Sequence, residues 1–495
     1  MIESHLLALQ VVIPLLAAPV CVLLPQGRLP WLFSTAVAWI CAAMAMVLLG
    51  EVMASGTLSY AMGGWIAPFG IEYRLDPLNA YVNLIVAGIA AVVLPFSGPS
   101  IEAEVTQDRL PLFYTALLLC LAGLLGIATT GDAFNVFVFL EISSLSTYSL
   151  VAMGGDRRAL AAAYQYLIMG TIGATFFLIG VGLLYMVTGT LNMVDLAQRL
   201  PAASTEYATT VHTAFAFIVV GVGLKLALFP LHGWLPNAYT YAPAMVSAFL
   251  AATATKVAVY ILVRFMFTVF GFGYAFGETV LAPLLVGLAL LGVFVASVQA
   301  VYQADAKRLL AYSSVAQIGY IALGIGLATV LGLSAGLLHL FNHALMKGAL
   351  FMALAAIFFR IGSMRLEDMA GIGRVMPWTM TAFAIAGLSL IGLPATVGFI
   401  SKWYLILAAL EKGWWPVAVL VLIGSLIAVV YIWRVVEVAW FRERPAGARP
   451  VSEAPLVLLL PTWTLVLANI WFGLDTRYTV GVATRAAELL MGAGP

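Results

Sequence analysis

Charged residues make up only 9% of this 495-residue chain, against 63% hydrophobic residues. Soluble globular domains carry roughly 25% charged residues, so an ordinary soluble protein is excluded. Neither sign of charge dominates. The formal net charge is +1, and without a basic face to neutralise phosphates a nucleic-acid partner is excluded as well. Cysteine is equally scarce: Cys21, Cys41 and Cys120 lie inside apolar runs with no C-x-x-C or Cys/His spacing. Iron–sulfur, c-type haem and structural zinc sites are therefore unsupported, and no cofactor or metal is expected. The alternation over about 10 residues that marks a membrane β-barrel is missing too.

Long apolar runs are what the chain has. A bilayer-crossing helix needs roughly 20 apolar residues. Such runs occur at about 5–24, 31–50, 78–98, 110–128, 131–153, 160–188 and 211–229. They continue at about 244–269, 279–303, 306–327, 331–360, 376–410, 414–440 and 455–473. Fourteen spans predict an all-α polytopic membrane protein. The first run has no basic n-region and no small-residue cleavage site after it, so it is expected to remain as a span. Loops after odd-numbered spans hold twelve Lys and Arg residues, from Arg28 to Arg449. Loops after even-numbered spans, with the tail, hold five: Arg74, Arg199, Lys412, Arg477 and Arg485. The positive-inside rule then predicts odd loops in the cytoplasm and both termini outside. No connection is long enough to form a soluble domain.

Some charges fall inside the spans. One charged side chain at mid-bilayer costs about 2.5–3.5 kcal/mol on insertion scales, so such groups face a bundle interior or a hydrated cavity, or snorkel to an interface. Arg434, Glu437 and Arg264 are expected to snorkel. Glu141, Lys225 and Lys256 have apolar helix on both sides and are expected inside. A buried lysine loses proton affinity on desolvation and regains it beside a carboxylate. Moving the partner therefore moves the proton, which arginine could not do because it stays charged.

His339, His343 and Lys347 are spaced i, i+4, i+8. That spacing places them on one helical stripe, drifting by about 40° and rising about 6 Å per step. Histidine exchanges protons near neutral pH, so the three form a candidate relay. Alternatively, either histidine hydrogen-bonds a neighbouring helix and never titrates. Two spans carry breaks, one through Pro230, His232 and Pro236 after Lys225, the other through Pro394 before Lys402. Proline frees a backbone carbonyl, and such breaks survive at membrane depth only where they line protein or water. His232 is a secondary candidate there.

Residues 141–154 and 311–324 align weakly, through Ser143/Ser313, Ser144/Ser314, Ala152/Ala322 and Gly154/Gly324. In each half a Ser-Ser span precedes a proline-broken, lysine-bearing one. This order predicts two inverted five-helix repeats at 110–269 and 279–440. A three-helix segment (1–109) precedes them, and a C-terminal loop with the last span (441–495) follows.

These residues resemble the antiporter-like family shared by complex I membrane subunits, membrane-bound hydrogenases and Mrp-type cation/proton antiporters. The resemblance covers nearly the whole chain. It is carried by Phe139-Leu-Glu141, the run from Lys225 to Tyr239, Ser247 to Lys256, His339 to Lys347 and Gly392 to Lys402. It implies that Glu141 pairs with Lys225, that Lys256 connects the halves, that His339, His343 and Lys347 relay protons, and that Lys402 ends the path. Members carry glutamate or lysine at the last position. Lysine there, with little chain after the last span and the texture of 225–262, resembles the D-type component of Mrp antiporters. The implied function is proton translocation within a multisubunit Na+/H+ antiporter of a bacterial or archaeal cell membrane, with other membrane subunits as partners. A proton-pumping subunit of a complex I-type oxidoreductase or a hydrogenase is the alternative, and a stand-alone solute transporter a third. No residue set here could bind NADH or flavin, so redox chemistry would belong to partners and this chain is not itself expected to be an enzyme. The core groups suit protons; the oxygen ligands a sodium site needs cannot be counted from sequence.

Overall fold

In lipid, every backbone N–H and C=O must find a partner within its own segment or a closed sheet, and the apolar runs accordingly become helices. The computed structural model describes residues 5–446 and 450–492. The first helices are α1 (Leu6–Leu23), α2 (Leu29–Ser55), α3 (Pro77–Glu102), α4 (Leu110–Thr129), α5 (Ala133–Ala152) and α6 (Arg158–Thr188). Next come α7 (Met193–Glu206), α8 (Ala208–Leu226), α9 (Leu235–Tyr241), α10 (Ala244–Ala252) and α11 (Ala254–Val263). The chain continues with α12 (Leu281–Val301), α13 (Ala306–Gly326), α14 (Val330–Ile361), α15 (Pro377–Ile391) and α16 (Val397–Glu411). It closes with α17 (Trp415–Phe441), α18 (Leu456–Leu474) and α19 (Arg477–Leu490).

Among the described residues, thirteen helices, some assembled from adjoining pieces, are long and apolar enough to cross a membrane. The remaining apolar run, 376–410, twelfth in chain order, is divided between α15 and α16 with residues 392–396 between them. Two helices are amphipathic rather than spanning. In α7 the buried residues Met193, Leu196, Leu200 and Ala203 recur at helical spacing on one face. In α19 the buried set Thr479, Val482, Ala483, Ala486 and Ala487 packs on α3 and α14. A short antiparallel hairpin, β1 (Leu58–Ala61) with β2 (Glu72–Leu75), follows α2. Arg449, one of the basic residues used to orient the chain, lies outside the described residues.

Burial is concentrated in the middle of the molecule. In α14 every residue from Gly332 to Ile357 except Phe341 is buried, and in α13 every residue except Arg308 and Tyr312. The rim helices α2, α6, α12 and α17 leave apolar faces such as Trp39, Leu160, Leu291 and Leu426 exposed, as lipid-facing helices do. Helix α14, which carries His339, His343 and Lys347, is thus withdrawn from the rim.

Arg264 corrects one expectation. It does not snorkel. It is buried in a π-helical turn (Arg264–Val269), 2.7 Å from Asp76, and also donates to Asn79 Oδ1 at 2.7 Å. Asp76 meanwhile caps α3, accepting from the Leu78 and Asn79 backbone N–H groups. Burial alone would raise the Asp76 carboxyl, but the Arg264 guanidinium and these N–H groups together hold it below the usual range. Its contribution to stability is therefore present above the ordinary carboxylate pKa and lost as pH falls through the lowered one. Arg264→Ala would leave that carboxylate buried and unpaired. The expected loss is about 3–5 kcal/mol, read as a lower thermal midpoint in detergent and partly recovered by Arg264→Ala/Asp76→Asn. Glu437 behaves as expected, pairing with Arg442 at 3.1 Å near the end of α17, while half-buried Arg434 donates to the Gln303 carbonyl.

Candidate functional site

Helix α8 stops at Leu226 because Ala227 is in the left-handed region (φ 58°) and Pro230 has no N–H to continue the ladder. Residues 227–234 form the break before α9 resumes. Lys225, in the last turn of α8, donates to Ser144 Oγ at 2.7 Å and Tyr148 Oη at 3.4 Å. Glu141 Oε1 lies 4.0 Å from its ammonium, with side-chain exposures of 7% for Lys225 and 24% for Glu141. Lysine is thus the inner member of the pair and glutamate the outer one. Two hydroxyls hold the ammonium even without the carboxylate.

Lys256 is fully buried, and its ammonium meets the Ala251 carbonyl and, at 3.4 Å, Thr255 Oγ1. That carbonyl is accessible because the run 244–269 is broken at Thr253 (φ −126°, ψ −58°), between α10 and α11. This third break contains no proline, and sequence reading missed it. The available signal is Thr253-Ala-Thr255. Thr253 Oγ1 donates to the Phe249 carbonyl at 2.7 Å, and such local bonds compete with the helical ladder. A cavity of about 40 Å³ lies between Ser144 and Lys225 on one side and Ala254, Val257 and Ala258 on the other. That is room for at least one water.

The α14 stripe is held largely by α13. His339 Nε2 faces Gln317 Oε1 at 3.0 Å, and its Nδ1 faces Ser401 Oγ at 2.8 Å. Lys347 donates to the Leu310 carbonyl at 2.9 Å and contacts Ser313 Oγ. His343 stacks nearly parallel to His339, ring centroids 6.2 Å apart, and neither of its nitrogens has a hydrogen-bond partner among the described residues. The two histidines are therefore unlike: one is held by two hydrogen-bond partners, the other by stacking and burial alone among the described residues.

At the second break, α15 ends at Ile391 with Gly392 (φ 100°) and Ala395 (φ 69°) left-handed. Lys402 reaches back from α16 to the freed carbonyls of Leu390 and Ile391, each at 2.9 Å, and sits over the Tyr320 ring at 4.9 Å. Asn342 of α14 donates to the Val397 carbonyl at 2.7 Å, which ties this break to the histidine helix.

The structure therefore brings Lys256, His339, His343, Lys347 and Lys402 into one buried region, with the Glu141–Lys225 pair beyond the small cavity. Lys256 lies within electrostatic reach of both histidines and Lys347. His232 stands apart, stacked on Phe229 inside the first break. Ser144, Tyr148, Ser313, Gln317, Tyr320 and Ser401 were missed as partners. The Ser-Ser spans were legible as a repeat signal but not as lysine ligands. Ser144 holds the lysine of α8 and Ser313 that of α14, so the two serine pairs serve lysines at different positions.

If the stripe expected from the sequence relays protons, His339→Ala and His343→Ala should each slow transport without abolishing it, because water can bridge one missing member. His339→Ala should also lose about 1–3 kcal/mol by leaving the buried Gln317 Oε1 without its 3.0 Å partner, a penalty His343→Ala lacks. An unchanged pH–rate profile in both single variants and in the double would make the histidines structural only.

Comparison with known proteins extends this geometry. A family model described as "NADH:quinone oxidoreductase/Mrp antiporter, TM" matches residues 130–428. The chain is 43% identical to the N-type component of the NADH-quinone oxidoreductase of Desulforudis audaxviator, covering 95% of this chain and 96% of that one. It is 29% identical to the D-type component of the Na(+)/H(+) antiporter of Bacillus subtilis, over 99% and 97% respectively. Its structure is similar to a chain of the Mrp complex from Dietzia sp. DQ12-45-1b, with a TM-score of 0.89, 27% identity and coverage of 99% and 98%.

Proposed function

We propose that this chain, which belongs to the NADH:quinone oxidoreductase/Mrp antiporter transmembrane family, is a proton-translocating subunit of a multisubunit monovalent cation/proton antiporter. The observation that carries the reading is the buried file of titratable groups, with Lys256 and Lys402 donating to backbone carbonyls freed at helix breaks. An ammonium has three donors and no acceptor, so such cradles hold a proton-bearing lysine without a fixed counter-anion. In this reading Glu141 and Lys225 open and close as a pair. Lys256 connects the halves 110–269 and 279–440, His339, His343 and Lys347 relay, and Lys402 is the last station. The halves are read as inverted repeats, flanked by 1–109 and 441–495. The odd-numbered loops face the cytoplasm and both termini lie outside a prokaryotic cell membrane. The chain works with other membrane subunits and is not itself an enzyme.

The 43% identity to an oxidoreductase component favours a second reading, a proton-pumping subunit of a redox-driven assembly. Everted vesicles separate the two. In the first reading a sodium pulse dissipates a preformed pH gradient with no electron donor present, and the purified complex contains only transporter subunits. Proton movement that ignores sodium and requires an electron donor would overturn it in favour of the second.

A further inference from the structure

A basin of about 900 Å³ opens on one face of the molecule, lined by segments that follow odd-numbered spans, among them 103–104, 155–158, 303–308 and 362–367. None of the groups in the proton path described above lines it. At its wall the half-buried Glu104 carboxylate accepts the Ala244 backbone N–H at 3.0 and 3.2 Å. Beside it the buried Lys307 ammonium contacts the Ala242 carbonyl. Lys307 starts α13, and its helical face then runs through Leu310, Ser313, Gln317 and Tyr320. These are the residues that meet Lys347, His339 and Lys402. From Lys307 to Ser313 the rise is about 9 Å, so successive i+3 and i+4 neighbours on one side of α13 lead from the basin to the relay.

We propose that this basin is a proton-entry port for the second half, with Glu104 as the receiving carboxylate and the Lys307–Gln317 face of α13 as the route to Lys347 and His339. This rests on the proton-translocating reading above, and places the port in series with the Glu141–Lys225 pair, which opens and closes the path, rather than as a second, parallel route. A proton passes from basin water to the Glu104 carboxylate, one O–H breaking as another forms, and is then handed along water and the Ser313 hydroxyl by successive O–H exchanges to the neutral Lys347 amine, where an N–H forms as the last O–H breaks. Glu104 is faced by Lys307, and Lys307 in turn by Asp305. Burial pushes the Glu104 carboxyl above the usual carboxylate range, offset only in part by Lys307 and the Ala244 N–H. It is therefore suited to hold a proton closer to neutrality than an exposed glutamate.

A purely structural role, holding the Ala242–Ala244 corner at the start of α10, is separable by experiment. Glu104→Gln keeps an acceptor for the Ala244 N–H but cannot titrate. In everted vesicles carrying the assembled complex it should slow proton flux at least about tenfold, and Glu104→Asp should restore part of it. Parent-like flux in the glutamine variant overturns the port. Independently, Ala304→Cys places a thiol on the basin rim, and the native cysteines are all buried. A charged, membrane-impermeant thiol reagent applied from the basin side should then stop flux, whereas complete labelling with unchanged flux overturns the port. If the parent complex shows neither sodium/proton exchange nor donor-driven pumping, the functional reading itself fails before any variant is measured, and the port falls with it.

Discussion

Glu141→Ala is expected to lower proton transport by about 10²–10⁴-fold while the protein remains in the membrane at normal level. The structure explains why chemistry and folding separate here. Removing the carboxylate takes away the mobile counter-charge 4.0 Å from Lys225, yet Ser144 and Tyr148 still satisfy the ammonium. Lys225→Ala should be equally inactive, since no proton can then be exchanged with the carboxylate. The double variant should lose less than the two single effects combined, as contacting partners do. Transport is measured in everted vesicles as collapse of a preset pH gradient, with membrane level checked in parallel. Near-normal transport by a fully inserted Glu141→Ala protein would remove the pair from the proton path.

Lys402 is the second position where a large effect is expected. Its ammonium sits between two carbonyl oxygens and an aromatic face, a set that offers only acceptors. Lys402→Ala should stop transport by leaving both carbonyls unpaired and the proposed path without its last station. Lys402→Arg keeps charge and donors, and should still fail because guanidinium does not release its proton. Because members of the resembled family carry glutamate or lysine at this position, the resemblance by itself implies partial activity for Lys402→Glu. The carbonyl cradle changes that expectation. An ionised glutamate would face two acceptors, so Lys402→Glu is expected to be inactive unless the break rearranges around it. Retained transport in the arginine variant would make Lys402 a fixed counter-charge and end its role as a proton station.

Much of this was legible in the sequence. Length and apolarity of the runs determined an all-helical membrane protein, because bilayer thickness sets the length of a span. Pro230 and Pro394 announced two breaks, since a missing N–H is a covalent property that no environment restores. The intramembrane lysines, histidines and Glu141 stood out because charge at membrane depth is expensive wherever the chain folds. Family membership followed from the order of those residues. Other features depended on contacts between segments far apart in the chain. Arg264 read as a snorkelling residue until the fold brought Asp76 to it. The break at Thr253 carries no proline, and the carbonyl it frees becomes meaningful only because Lys256 turns back onto it. Ser144, Ser313 and Gln317 are ordinary helix residues in sequence, and packing alone aims them at Lys225, Lys347 and His339. Local covalent chemistry thus determined what is costly and where helices must stop. Which partner satisfies each costly group was decided by tertiary structure, because hydrogen bonds and ion pairs act through space and not along the chain.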